Sequence, residues 1–107
     1  MEEQSVIRAM AALAQAHRLK VFRALVVAGK AGLTPGTIAD GMQLPAATLS
    51  FHLKELMHAG LVTQERAGRN LIYRADYEHM AGVLAFLTQN CCQGVQCTSS
   101  AAASCEC

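Results

Sequence analysis

A mainly α-helical fold carrying one two-stranded β-hairpin is the class this sequence predicts, and three observations predict it. Five stretches up to Leu87 read as helices. Between Thr34 and Gly60 a short helix, a tight turn and a longer helix follow one another, which is the helix-turn-helix order. Directly after them, Leu61 to Gln64 and Leu71 to Arg74 flank Ala67-Gly68-Arg69-Asn70, a hairpin with basic residues at its tip.

Taken in order, Val6, Ile7, Met10, Leu13 and Ala14 recur at helical spacing, and a second helix places Leu19, Phe22, Leu25 and Val26 on one face before ending at Gly29. Thr34 can cap a third helix of about two turns, with Pro35 at its first position and Gly41 as its break. Pro45 opens a fourth helix with apolar Leu49, Leu53, Leu56 and Met57, which stops at Ala59-Gly60. The hairpin that follows is the wing of a winged helix-turn-helix. The last helix carries one stripe of Tyr77, Met80, Ala81, Leu84 and Leu87 and a second of Val83 and Phe86, so it needs two surfaces to bury against.

One of those surfaces is the domain itself, and the other is most economically a second copy of the chain. At 107 residues there is room for one domain with a modest core, which also favours pairing. The division predicted is a winged helix-turn-helix and dimerisation domain over residues 1–90 and a cysteine-rich sensing tail over 91–107. No run approaches the roughly 18 apolar residues that would cross a bilayer, and no basic region precedes an apolar stretch at the N-terminus. A cytoplasmic protein without membrane partners is expected.

Net charge is only +1, but its distribution is uneven. Residues 4 to 39 hold Arg8, Arg18, Lys20, Arg23 and Lys30 and no acid, whereas Arg74 is the last basic residue and Asp76, Glu78 and Glu106 follow it. The first part suits phosphate; the end suits cations. With Leu49, Leu53 and Leu56 facing inward, the fourth helix turns Ala47, Ser50, Phe51 and Lys54 outward. Ser50 can bond a base edge or a phosphate, Phe51 can meet a thymine methyl, and Lys54 is placed for backbone phosphate. Small Ala46 and Ala47 let the helix start approach closely, and Arg66 and Arg69 in the wing reach a minor groove or phosphates. For each residue singly, an ordinary solvated surface is the alternative, although an outward Phe has no reason to face water. His52, on the flank of the inner face, is expected to be partly buried with one hydrogen-bond partner. His17 and His58 carry no signal beyond polar surface.

The runs Ala16-His17-Arg18-Leu19-Lys20-Val21-Phe22, Leu49-Ser50-Phe51-His52-Leu53-Lys54-Glu55-Leu56, Ala59-Gly60-Leu61-Val62 and Gly68-Arg69-Asn70-Leu71-Ile72-Tyr73-Arg74 resemble the ArsR/SmtB family of dimeric winged-helix repressors. The resemblance spans about residues 5 to 90. It implies a homodimer joined by the first and last helices, a recognition helix in each major groove of double-stranded operator DNA, release when an inducer binds, and no enzymatic activity.

All five cysteines, Cys91, Cys92, Cys97, Cys105 and Cys107, follow Asn90. An odd, clustered set in a reducing compartment argues for metal or redox chemistry rather than a disulfide framework. Arsenic-sensing relatives often carry a Cys-Val-Cys motif in the third helix, but Thr34 to Asp40 contains no cysteine. Zinc-sensing relatives use Asp and His pairs on the last helix, and only Asp76 and His79 are available here. The remaining candidates are Cys91, Cys92 and Cys97, whose three thiolates match the trigonal demand of As(III) or Sb(III), with Gly94 allowing the chain to fold back. This resembles arsenic repressors whose ligands follow the last helix and begin with a vicinal Cys pair. Cys105 and Cys107 are less certain ligands. The alternatives are a tetrahedral thiolate site for cadmium, lead or zinc, a thiol redox switch, and a metal store on a constitutive DNA binder.

Overall fold

The computed structural model describes residues 1–89. It contains α1 (Glu3–Leu13), α2 (Ala16–Ala28), a 3-10 turn (Gly29–Ala31), α3 (Pro35–Met42), α4 (Ala46–His58), β1 (Val62–Ala67), β2 (Asn70–Ala75) and α5 (Tyr77–Leu87). This is the element order of a winged helix-turn-helix, as the sequence predicts. The domain boundary after residue 90 and all five cysteines lie outside the described residues. No helix among the described residues is long and apolar enough to cross a membrane.

Side chains set where the helices begin. Gln15 accepts from the Arg18 backbone N–H at 2.8 Å, Thr34 Oγ1 from Thr37 N–H at 3.3 Å, and Asp76 Oδ1 from His79 N–H at 3.0 Å. Each satisfies an amide that the first helical turn leaves without a partner. Pro35 occupies the first turn of α3 as expected, and α3 runs on past Gly41 to Met42, where Gln43 takes a left-handed conformation at φ 55°. Pro45 caps α4 from outside rather than forming its first residue.

The largest fully buried side chains are Leu25, Leu49, Leu53, Leu56, Leu61 and Val21. Half of them belong to α4, so the helix predicted to face DNA is also the one most firmly held, at about 1.5–3 kcal/mol for each buried Leu. In α2 the buried face is Val21, Phe22 and Leu25, while Leu19 is exposed. Phe22 and Leu25 face inward as expected and Val26 packs against the core, but Val21 takes the place expected of Leu19, because the two are equally apolar and spacing alone does not choose between them. In α1 the buried set is Val6, Ala9 and Ala12, leaving Ile7 and Met10 about half exposed. In α5, Val83 is buried and Met80 and Phe86 pack against the core, while Tyr77, Leu84 and Leu87 are exposed. The two apolar faces read from the α5 sequence therefore exist, and one is covered within the chain.

The hairpin is antiparallel, with Ala67 opposite Asn70 and a two-residue turn at Gly68-Arg69. Gly68 sits at φ 63°, where glycine has no Cβ penalty. The strands extend further toward the turn than the sequence suggested. On its other edge β2 is bridged to Leu33: Leu33 N–H donates to Tyr73 O at 3.0 Å and Tyr73 N–H to Leu33 O at 2.8 Å. The wing is thereby tied to the segment leading into α3.

Candidate nucleic-acid interface

On α4, Leu49, His52, Leu53 and Leu56 are buried, and Ala46, Ala47, Ser50, Phe51 and Lys54 are all exposed. The inward and outward faces inferred from the sequence are therefore the observed ones. Phe51 is 55% exposed. Arg66 near the end of β1 and Arg69 in the turn are likewise exposed. α4 packs against α3 on one side and β1 on the other, so the recognition helix, the preceding helix and the wing form one connected unit.

His52 departs from expectation. It is 6% exposed, more buried than predicted, and its Nδ1 has no hydrogen-bond partner. Its ring lies 5.6 Å, centroid to centroid, from His17 and 5.7 Å from Phe51, so it supports the exposed Phe from behind. His17 is half-buried against it and is more than polar surface. Burial lowers the His52 pKa, with the Arg18 charge and then His17 acting in the same direction. The folded form thus favours a neutral ring. Stability should be complete above the ordinary histidine value of 6.5 and should fall as pH drops below it, because the unfolded chain takes up the proton first. The slope for one proton is up to about 1.4 kcal/mol per pH unit. Urea melts between pH 7.5 and 5.5 test this: His52→Leu should flatten the dependence, and an unchanged slope would assign it to other groups.

Asp76 and His79 do not form a ligand pair. The Asp76 carboxylate caps α5, and the His79 ring packs over Gly60, where an added Cβ would stand 2.7 Å from His79 Cε1. Among the described residues no group of three His, Cys, Asp or Glu could hold a metal ion.

One residue the sequence reading passed over is Arg74. Its Nε donates to Lys30 O at 2.7 Å and its Nη1 to Glu65 Oε1 at 2.6 Å. Register could have exposed part of this: a two-residue turn sets Glu65 opposite Ile72, which makes Arg74 a diagonal neighbour on the same face. The bond to Lys30 O, 44 residues away, has no local signal.

Residues 13–65 match a family model described as a helix-turn-helix domain. Over 47 residues the chain is 40% identical to the HTH-type transcriptional repressor SmtB of Mycobacterium tuberculosis, covering 44% of this chain and 35% of that repressor. An ArsR-like transcriptional regulator from Rhodococcus sp. RHA1 superposes with a TM-score of 0.72 at 23% identity, over 80% of this chain and 78% of that one. The chain is thus similar to an SmtB repressor over this segment and shares the fold of ArsR-like regulators. A further solved structure, a possible transcriptional regulator for arsenical resistance, is 28% identical with a TM-score of 0.62, covering 72% of this chain and 77% of that one. The homodimeric winged helix-turn-helix DNA-binding domain of a possible ArsR-family regulator from Mycobacterium bovis gives a TM-score of 0.65 at 22% identity, over 89% of this chain and 88% of that one. The family-model match takes in α2, α3, α4 and most of β1, and the segment shared with SmtB spans only about a third of that repressor's chain.

Proposed function

We propose that this chain is a transcriptional repressor of the ArsR/SmtB type that binds double-stranded operator DNA as a homodimer and leaves it when trivalent arsenic or antimony binds its C-terminal cysteines. The observation that carries the DNA-binding part is α4 itself, pinned by three fully buried leucines and presenting Ser50, Phe51 and Lys54 outward. In a dimer the two recognition helices would enter major grooves about 34 Å apart on one face of the duplex. Dimerisation is supported by α1 and α5, which pack on each other, with Met1 lying over Gly82, and together expose Ile7, Met10, Leu84 and Leu87.

The inducer reading rests on thiol chemistry and on the likeness to a possible regulator for arsenical resistance. Cys91, Cys92 and Cys97 supply three soft donors, and Cys105 and Cys107 two more. Zinc, cadmium or lead at four thiolates, or oxidation of a thiol pair, are the competing readings. The similar SmtB protein is a transcriptional repressor, which supports repression over activation.

Fluorescence anisotropy on operator DNA, with reduced protein and separate additions of arsenite, zinc and cadmium, separates these readings. Release near one arsenite per subunit supports the proposal. Release by zinc or cadmium alone reassigns the ligand, and release only by peroxide reassigns the trigger. For the DNA face, Lys54→Ala should weaken specific and non-specific binding alike and make the salt slope shallower by about 1. Phe51→Ala should instead lower operator affinity selectively, by about 1–3 kcal/mol if it contacts a base. Equal losses on specific and random DNA would remove Phe51 from base recognition.

A further inference from the structure

We propose that Arg74 is a positioning residue for the wing, holding Arg66 and Arg69 at a set height relative to α4; the DNA-binding part of this rests on the function proposed above. A two-stranded hairpin alone is marginally stable in water, so the orientation of this one depends on its root. At the tip little restrains it: Arg66, Ala67, Gly68, Arg69 and Asn70 are all exposed, and a Cβ added at Gly68 would meet nothing within 4 Å. Near the root two devices act. The Leu33–Tyr73 bridge holds the backbone of β2. The Arg74 guanidinium, projecting from the same strand, joins β1 through Glu65 and the 3-10 turn between α2 and α3 through the Lys30 carbonyl.

Those two acceptors lie on different neighbours of β2: Glu65 on β1, which the hairpin ladder already pairs to it, and Lys30 on the 3-10 turn, which only side chains and the Leu33 bridge join to it. The backbone bridge at Leu33 permits rotation about its two bonds, whereas a second attachment displaced from it does not. Arginine suits this place because its planar fork offers donors in fixed, divergent directions; a lysine ammonium at the end of a flexible stem satisfies one acceptor at a time. The carbon stem is also guided, since it runs close over Gly32, where an added Cβ would stand 2.9 Å from Arg74 Cγ. With a third of its side chain accessible, Arg74 contributes little as an isolated surface ion pair, so its effect should appear in wing geometry more than in overall stability.

The test uses the full chain in two arms. In the free protein, backbone ¹⁵N order parameters at Gly68, Arg69 and Asn70 should fall in Arg74→Ala from about 0.85 toward about 0.6, with α4 unchanged. Arg74→Lys should behave like Arg74→Ala. Unchanged wing amides in Arg74→Ala, or full recovery by lysine, would overturn the proposal. In the DNA arm, Arg74→Ala should make the salt slope shallower by as much as Arg66→Ala with Arg69→Ala does, about 2 for two phosphates. It should add nothing when combined with them. An additive loss would mean that Arg74 contacts DNA itself and would refute the positioning role. If the wild-type chain bound no DNA, the function proposed above would fail, and the order parameters would still decide the role of Arg74.

Discussion

Gly32→Ala is expected to destabilise the fold by about 2–6 kcal/mol and to detach the wing from the α2–α3 corner. Gly32 has φ 68° and ψ −174°, a conformation essentially reserved for glycine that costs an L-residue about 1–3 kcal/mol. An added Cβ would also stand 2.6 Å from Ile72 Cγ2, 2.7 Å from Tyr73 O and 2.9 Å from Arg74 Cγ. The second of these is backbone, and it is the carbonyl that accepts the Leu33 N–H, so relief requires the bridge to open. Overpacking of this kind costs about 1–3 kcal/mol. Gly29 is the internal control: it has φ 66° but nothing within 4 Å of an added Cβ, so Gly29→Ala should cost only the conformational part. Gly60→Ala should fall between, because its φ of 81° is combined with a clash against the His79 ring, a side chain that can swing. Urea denaturation with a constant m-value measures all three. If Gly32→Ala were as mild as Gly29→Ala, the wing would not be rigidly seated, and the latch assigned to Arg74 would lose its foundation. For a domain with 5–15 kcal/mol in total, the upper end of the range leaves little margin.

How much was legible beforehand depended on whether the signal was local. Thr34 with Pro35, the glycine at the wing turn and the leucine spacing of α4 act over one or two turns of chain, and all three were read correctly. The inward face of α4 followed because Leu49, Leu53 and Leu56 recur at helical spacing among polar Thr48, Ser50, Lys54, Glu55 and His58. In α1 and α2 fifteen of 24 positions are Ala, Val, Leu, Ile or Met, so periodicity could not separate Val6 and Ala9 from Ile7 and Met10, or Val21 from Leu19. That ambiguity has a physical origin: helices with one face on the core and apolar residues left outside carry little polar contrast. The exposed residues of α4 and the wing were legible by exclusion from the core. His17 and Arg74 were not, since the first acts through a ring on another helix and the second through a carbonyl far away in sequence.

Cys97→Ser should abolish arsenite-driven release while leaving operator affinity without the ion unchanged. Cys97 lies outside the described residues, and its thiol chemistry carries the expectation. Serine preserves size but replaces a soft, ionisable donor with a hard hydroxyl, so a three-thiolate ion loses one of its bonds. A wild-type coupling of about 1–3 kcal/mol corresponds to roughly 5–150-fold weaker operator binding with arsenite, and the variant should show a ratio near one. The same substitution at Cys105 and Cys107 together should leave the ratio intact if they are spare ligands. The coupling route follows from chain order: α5 ends at Leu87, a few residues before Cys91, and the same helix exposes Leu84 and Leu87 as candidate dimer contacts. Drawing Cys97 toward Cys91 and Cys92 would load the end of that helix and disturb the packing that sets the spacing of the two α4 helices. Leu84→Glu, which places a charge in that packing, should therefore weaken operator binding without any ion and shift the protein toward monomer in sedimentation. Release of the Cys97→Ser variant at the wild-type arsenite concentration would rule out the three-thiol trigger. Retained release in Leu84→Glu dimers, should they persist, would show that the signal reaches DNA by a path other than α5 packing.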